Sequence, residues 1–181
     1  MAFDSMPLRR RTVLAGLASL PLLSLASPDG LQDWGDAPDF RGIGQWFNSP
    51  PLSLAQLRGR VVLVDFWTFA CINCLRTLPH VNRWAATYQT QGLVVVGVHS
   101  PEFAFERSAT GLQQAIQRHG VKHAVAVDND HATWKAYDNR YWPAHYLIDG
   151  RGRIRYRHFG EGNQDVTEAA IRTLLQRPGR A

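Results

Sequence analysis

An apolar run that leads into a pair of cysteines is the feature that most constrains this chain. Residues 61–64 read Val-Val-Leu-Val, and such a β-branched run predicts a buried strand. Asp65 follows directly, six residues before Cys71. Beyond the cysteines, apolar residues recur at helical spacing, at Leu75, Leu78, Val81, Trp84, Ala85 and Tyr88. We therefore expect a buried strand that leads to two thiols, and a helix that begins at Cys71.

The position of Cys71 at the start of this helix predicts an acidic thiol. Unpaired backbone N–H groups and the helix dipole both stabilise an anion there. Cysteines at such positions have pKa values of roughly 3.5–7.5. The three-residue offset places Cys74 in the first turn, where the two sulfurs can join in a small disulfide ring. Half of a zinc site has the same spacing, so spacing alone leaves both possibilities open.

The residues around the pair resemble the thioredoxin family. Asp65-Phe66-Trp67, then Cys71-Ile-Asn-Cys74, then Pro79 match that family's strand acid, cysteine pair and helix-kinking proline. Two departures are Ala70, where thioredoxin has a second Trp, and Ile-Asn in place of Gly-Pro. The resemblance implies a thioredoxin-like fold and a redox-active Cys71–Cys74 disulfide.

Three longer segments extend the resemblance over residues 40–176. Cys71-Ile-Asn-Cys-Leu-Arg-Thr-Leu-Pro-His80, His99-Ser-Pro-Glu-Phe103 and Tyr141-Trp-Pro-Ala-His-Tyr146 are similar to the exported thioredoxin-like domain of DipZ-type proteins. They are more loosely similar to the TlpA-like thioredoxins of cytochrome c maturation. Pro143 resembles the family's cis-proline, which lies beside the active cysteines and presents backbone to the substrate. The resemblance leaves a role in haem attachment open. Cytochrome-maturation members often have an acid three residues after the second cysteine, where this chain has Thr77.

The order of predicted elements indicates an α/β fold. We predict strands over 61–66, 93–98 and 124–127, and helices over about 72–90, 104–118 and 130–137. Two strands joined by a helix form a right-handed unit with parallel strands. Residues 43–47 and 52–54 predict an N-terminal β-hairpin against the edge of the domain. The expected result is a central mixed sheet with helices on both faces, within a thioredoxin-like domain over 40–177.

The N-terminus has the form of a twin-arginine export signal. Arg9, Arg10 and Arg11 precede an apolar stretch of 14 residues over 13–26, shorter than a stable membrane span of roughly 20 residues. We predict a signal peptide over 1–26, cleaved after Ala26, and a flexible tail over 27–39. The expected location is periplasmic or extracytoplasmic, with membrane tethering if the signal is not cleaved.

The family resemblance assigns a role to each candidate site residue. Cys71 would attack a disulfide and Cys74 would resolve the mixed disulfide. Asp65, buried at the strand end, would take the proton of Cys74 directly or through a water. Trp67 and Trp142 would flank the site and, with Pro143, bind substrate.

Composition limits the partners. The formal net charge of +5, part of which lies in the N-terminal arginines, is too small to indicate nucleic acid binding. We expect protein disulfides or dithiols as substrates, a separate membrane protein as electron donor or acceptor, a monomer, and no metal or other cofactor.

Two rival functions remain open from the residues. A thiol peroxidase would resemble the peroxiredoxin pattern Pro-x-x-x-Thr-x-x-Cys; Thr68 fits, but Val64 stands at the proline position. A copper or zinc carrier would combine Cys71 and Cys74 with His145 or His99.

Overall fold

A computed structural model of the chain describes Met1 and residues 30–176. Within these residues a single sheet holds six strands in the order β1-β4-β3-β2-β5-β6. The strands are β1 (Gln45–Phe47), β2 (Val61–Trp67), β3 (Leu93–His99), β4 (Ala124–Val127), β5 (Ala144–Ile148) and β6 (Ile154–Phe159). β2, β3 and β4 are parallel, whereas β1, β5 and β6 pair antiparallel with their neighbours. The predicted α/β fold with a central mixed sheet is confirmed.

The helices follow the predicted order with shifted boundaries. They are α1 (Ile72–Tyr88), α2 (Ala109–Arg118), α3 (Ala132–Ala136) and α4 (Gln164–Leu175). The predicted helix over 104–118 is divided at Ser108, whose hydroxyl caps α2 by accepting from the backbone N–H of Gly111 over 3.1 Å. A 3-10 turn, Ala104–Arg107, precedes that cap. Among the described residues, no helix has both the length and the apolar content that crossing a membrane requires.

The central strand β2 buries both of its faces. Val62, Val64 and Phe66 pack on one side with residues of α3 and the strands. Val61 and Leu63 pack on the other side beneath α1 and α4. Because successive side chains alternate across a strand, Asp65 and Trp67 share the face covered by α1. The fold thus places a carboxyl group under the helix that carries the cysteines.

The predicted N-terminal β-hairpin is wrong. β1 pairs with β4, with Phe47 opposite Val125, and residues 52–54 form no strand. Asn48 directs the chain away from a hairpin, because its backbone is left-handed (φ 61°) and its side-chain amide binds the carbonyls of Val121 and His123, each over 3.0 Å. Prolines 50 and 51 then supply no backbone N–H for strand pairing.

Residues 33–37, which belong to the predicted tail, lie against the start of β6. The backbone N–H of Trp34 donates to the carbonyl of Ile154, and that of Ile154 donates to Gly35, each over 2.9 Å. Asp33 and Asp36 form ion pairs with Arg153 at 2.8 and 3.2 Å. The folded unit therefore begins before residue 40 and covers a section of the edge strand. The predicted export signal lies outside the described residues.

Candidate active site

Cys71 lies directly before α1 and caps it. Its Sγ accepts a hydrogen bond from the backbone N–H of Cys74 over 3.2 Å. The helix is fixed in place because Leu78, Val81 and Trp84 are fully buried against the sheet. Cys71 is half-buried, whereas Cys74 is only 1 % exposed. The predicted order of strand, thiol and helix is confirmed.

The two thiols have opposite pKa shifts. A hydrogen bond donated by the Cys74 thiol, with the sulfurs 2.6 Å apart, lowers the pKa of Cys71 to about 7. Backbone N–H groups of Cys74 and Asn73 act in the same direction, against the effect of burial. Burial raises the pKa of Cys74, and its bond to Cys71 raises it further. Both cysteines are free thiols here, so near neutral pH Cys71 is the one that ionises.

Asp65 lies buried beneath the cysteines, with 2 % of its surface exposed. After burial and the contact with Cys71, the charge of Asp65 is a further cause that raises the pKa of Cys74. Its Oδ1 lies 3.2 Å from Nε2 of His145. The two atoms are close enough for an ion pair but lack the alignment of a full hydrogen bond. The carboxyl group of Asp65 therefore raises the pKa of Cys74 and also contacts the imidazole of His145.

The remaining predicted site residues surround the same cluster. Trp67 is fully buried and packs with Cys74, so it supports the site from beneath. Trp142 is half-buried against this cluster, and its indole N–H donates to the carbonyl of Ser100 over 3.0 Å. The Trp142–Pro143 peptide is cis, as predicted. Ala144 pairs with Phe66, so Pro143 lies at the end of β2 that leads to Cys71. The substrate-binding roles of Trp67, Trp142 and Pro143 stay predictions.

A buried carboxylate that sequence reasoning missed holds the loop before Cys71. Glu106 is 1 % exposed and accepts hydrogen bonds from the hydroxyl of Thr68 and from the backbone N–H groups of Ala70, Glu102 and Phe103. The three backbone distances are 2.9, 2.7 and 2.8 Å. Burial by itself would raise the pKa of Glu106, but these hydrogen bonds, led by that from Thr68, lower it. The carboxylate therefore joins the loop at 68–70 to the segment after β3.

His99 completes this buried network. Its Nε2 lies 3.2 Å from Oγ1 of Thr68. The hydroxyl of Thr68 donates its proton to Glu106, so its oxygen accepts from His99, and Nε2 of His99 carries the ring proton. Burial lowers the pKa of His99 to about 4, so the ring is neutral at physiological pH. The ring of Phe69 stacks on it with centroids 5.5 Å apart. The loop that presents Cys71 is thus held by both hydrogen bonds and an aromatic contact.

One sequence signal could have revealed Glu106. An acid at the third position of a helical turn can reach back to the N–H of the capping residue, and Glu106 has this relation to Phe103. The prediction of one continuous helix over 104–118 hides this signal, because a glutamate within a surface helix is ordinarily solvent-exposed.

The histidines considered for metal binding have other contacts. His99 contacts Thr68 and His145 contacts Asp65. Among residues 30–176, no group of three or more His, Cys, Asp or Glu side chains is placed to hold a metal ion.

Comparison with known proteins identifies the family. Residues 35–157, well over half of the chain, match the profile of the AhpC/TSA family. The chain belongs to this family. The matched range runs from the segment beside β6 through the cysteines and the cis-proline, so it covers every candidate site residue of this AhpC/TSA member.

Two curated relatives show which proteins this chain resembles. Protein DipZ of Mycobacterium bovis is 44 % identical over an alignment of 181 positions, which covers 95 % of this chain and 26 % of DipZ. The AhpC/TSA chain therefore spans about a quarter of that relative. The thiol-disulfide oxidoreductase YkuV of Bacillus subtilis is 28 % identical over 138 residues, covering 76 % of this chain and 93 % of YkuV.

A solved structure supports the fold. The thioredoxin-like superfamily protein SPOA0173 matches with a TM-score of 0.74 at 29 % identity, over 80 % of this chain and 99 % of that protein. The predicted thioredoxin-like fold and the similarity to DipZ-type proteins are confirmed. The thiol-disulfide oxidoreductases YkuV and ResA of Bacillus subtilis support the predicted enzyme class, a thiol–disulfide oxidoreductase.

Proposed function

We propose that this chain is an exported thiol–disulfide oxidoreductase that exchanges dithiols and disulfides with protein substrates through Cys71 and Cys74. The observation that carries the proposal is the contrast between two adjacent thiols. Cys71 is half-buried with a pKa lowered to about 7, and Cys74 is fully buried with a raised pKa. A thiolate is the attacking species, so this contrast supports Cys71 as nucleophile and Cys74 as resolving thiol.

The reaction proceeds in two exchanges. The Cys71 thiolate attacks one sulfur of a substrate disulfide, forms a mixed disulfide and releases the other sulfur as a thiolate, which takes a proton from water. Cys74 then loses its proton to Asp65, directly or through a water, and attacks Sγ of Cys71. The Cys71–Cys74 bond forms and the second substrate thiolate leaves. Two electrons have passed from the dithiol to the substrate, and the reverse order oxidises a substrate dithiol.

The surroundings of the cysteines support a macromolecular substrate. Ile72, directly after Cys71, is 59 % exposed, and Phe103 and Phe105 are 52 % and 61 % exposed. Phe105 contacts Phe69 of the loop before the cysteines, with centroids 6.0 Å apart. Exposed apolar side chains grouped in this way are typical of surfaces that bind other polypeptides. We infer that Trp142 and Pro143 lie at the border of the same surface.

Export and the redox partner rest on the sequence and the relatives. The three arginines and the apolar stretch over 1–26 support transport by the twin-arginine route into an extracytoplasmic compartment. The resemblance to DipZ-type proteins is the basis on which we propose a membrane protein as the source or acceptor of electrons.

Trapping of the mixed disulfide tests the proposal. Reduced Cys74→Ser protein, mixed with a peptide that contains one disulfide, should form a stable adduct on Cys71 that intact-mass spectrometry detects. Wild-type protein should release the peptide as a dithiol, and the matched Cys71→Ser variant should form no adduct. An adduct on Cys74 in Cys71→Ser, or none in Cys74→Ser, contradicts the assignment.

A peroxidase function has weaker support. The hydroxyl of Thr68, which that function would direct at the reactive sulfur, donates its proton to Glu106 instead. Val64 also stands where the peroxidase pattern has proline. Reduced protein should therefore consume hydrogen peroxide no faster than a free thiol does, and rapid consumption would favour the peroxidase.

A further inference from the structure

Three ionisable side chains lie side by side across the sheet beneath α1. Asp65 of β2 is paired in register with His145 of β5, and His145 is paired with His158 of β6. Directly paired residues point to the same face of a sheet. The row therefore runs from beneath Cys74 to the edge strand.

His145 connects the two ends of this row. It is 1 % exposed, and its Nε2 lies 3.2 Å from Oδ1 of Asp65. The indole of Trp84 packs edge-on against its ring, with centroids 5.9 Å apart. Neither ring nitrogen has an aligned hydrogen-bond partner among the described residues. A buried imidazole without an aligned hydrogen bond costs free energy, which points to a functional role for its contact with Asp65.

His158 provides the outer end of the row. It is half-buried on the edge strand, and its ring centroid lies 6.2 Å from that of His145. Its Nδ1 lies 3.4 Å from the amide nitrogen of Asn163, which can only donate. In the neutral ring the proton is therefore on Nε2. A small ring rotation or one water can complete the contact with His145.

We propose that His145 is a positioning and proton-transfer partner of Asp65, and that His158 connects this pair to solvent. The proposal rests on the thiol–disulfide exchange proposed above and concerns its second step. The proton that leaves Cys74 passes to Asp65, then to His145, then to His158 and bulk water, while the Cys71–Cys74 bond forms and the substrate thiolate leaves. No electrons pass along the row, and each residue returns to its initial protonation state.

Other ionisable groups lie near the row. Cys74 of α1 faces Asp65 from above, and His123, ahead of β4, interacts electrostatically with Asp65 from the other side. Burial lowers the pKa of His123 to about 4, so it is neutral during the reaction. The buried side of α4 consists of Thr167, Ala170, Ile171, Leu174 and Leu175, none of which ionises in this range. Glu168 of α4 hydrogen-bonds Trp84, whose ring contacts His145.

The pH dependence of the second exchange tests the proposal. Reduced protein mixed with excess dithiobis(nitrobenzoate) releases one coloured thiolate when Cys71 reacts and a second when Cys74 resolves the adduct, so stopped-flow absorbance separates the steps. His145→Gln keeps a donor near Asp65 but cannot carry a proton. It should slow the second phase by roughly tenfold, less than the 10²–10⁴ typical of losing a general base because Asp65 is still present, and flatten its pH profile. The first phase should be unchanged.

Three further variants complete the experiment. His119→Gln, at the end of α2, is the control and should leave both phases unchanged. His158→Gln, on the edge strand, should slow the second phase severalfold and regain the rate in imidazole buffer, and it decides the outcome if His145→Gln does not fold. A second phase with wild-type rate and pH profile in the folded variants overturns the relay. A first phase of wild-type rate in Cys71→Ser overturns the proposed function instead.

Discussion

Glu106 accepts a hydrogen bond from the backbone N–H of Ala70 over 2.9 Å, so a carboxylate more than thirty residues away fixes the residue before the reactive cysteine. The same carboxylate binds two backbone N–H groups after β3. The conformation of the cysteine loop therefore depends on a carboxylate that takes no part in the reaction itself.

Replacement of Glu106 should loosen this loop. In Glu106→Gln the amide NH2 faces backbone donors, which leaves buried groups unpaired at a cost of roughly 1–3 kcal/mol in the free energy of unfolding. The first phase of the reaction with dithiobis(nitrobenzoate) should also slow, because Cys71 is presented less well. Urea unfolding and stopped-flow absorbance measure the two effects. The exposed neighbour Glu102→Gln should change the unfolding free energy by less than about 0.5 kcal/mol, and equal effects in both variants would exclude this role for Glu106.

The acidity of Cys71 should depend on the thiol of Cys74. The thiolate fraction rises with pH, so the rate of alkylation of Cys71 by iodoacetamide should increase to a plateau with a midpoint at about 7. Cys74→Ala removes the largest cause of the shift, and the midpoint should move up towards the ordinary value of 9.0. An unmoved midpoint would mean that the helix N-terminus alone sets the pKa of Cys71.

Asp65 should matter only in the second exchange. Asp65→Asn cannot accept the proton of Cys74, and general-base effects of this kind are typically a hundredfold or more, so the second phase should slow by roughly 10². The first phase should keep its rate because Cys71 is already ionised. Asp130→Asn, whose side chain is 84 % exposed, is the control. Equal slowing of both phases by Asp65→Asn would indicate a general structural defect.

Glu168 should contribute stability that acid removes. Arg83, at 2.7 and 3.1 Å, and then Tyr88 and Trp84 donate hydrogen bonds that lower the pKa of Glu168 to about 2. Because this folded-state pKa lies below the ordinary 4.5, the contribution is complete above that pH and is lost as pH falls through about 2. Glu168→Gln should lose about 1–2 kcal/mol at neutral pH, a modest value since Arg83 is half-exposed. Urea unfolding at several pH values should show the two proteins converging in acid, and a constant difference would contradict this.

The local features of the site could be predicted because they depend on neighbours in sequence. The β-branched run before Asp65 predicts the strand, and the helical spacing after Cys74 predicts the helix that Cys71 caps. Neither prediction depends on knowing the long-range contacts. The cis peptide before Pro143 followed from the family resemblance, since sequence alone favours the trans form. These features were confirmed.

The longer-range features could not be predicted because tertiary contacts decide them. Glu106 is buried only because the loop at 68–70 folds onto it, and no periodicity reports that contact. His145 meets Asp65 because β5 pairs with β2, a register that the strand pattern leaves open. The prediction of a hairpin over 43–54 was wrong for the same reason: Asn48 binds carbonyls more than seventy residues away, and sequence pattern does not report such a contact.

The turnover of Cys71→Ser with a small disulfide and dithiothreitol as reductant tests the central claim most directly. Cys71 is the only thiol of the pair that is both accessible and ionised near neutral pH, so the variant should retain no activity above the uncatalysed rate, while wild-type protein accelerates the exchange. Turnover at the wild-type rate in Cys71→Ser would contradict the account.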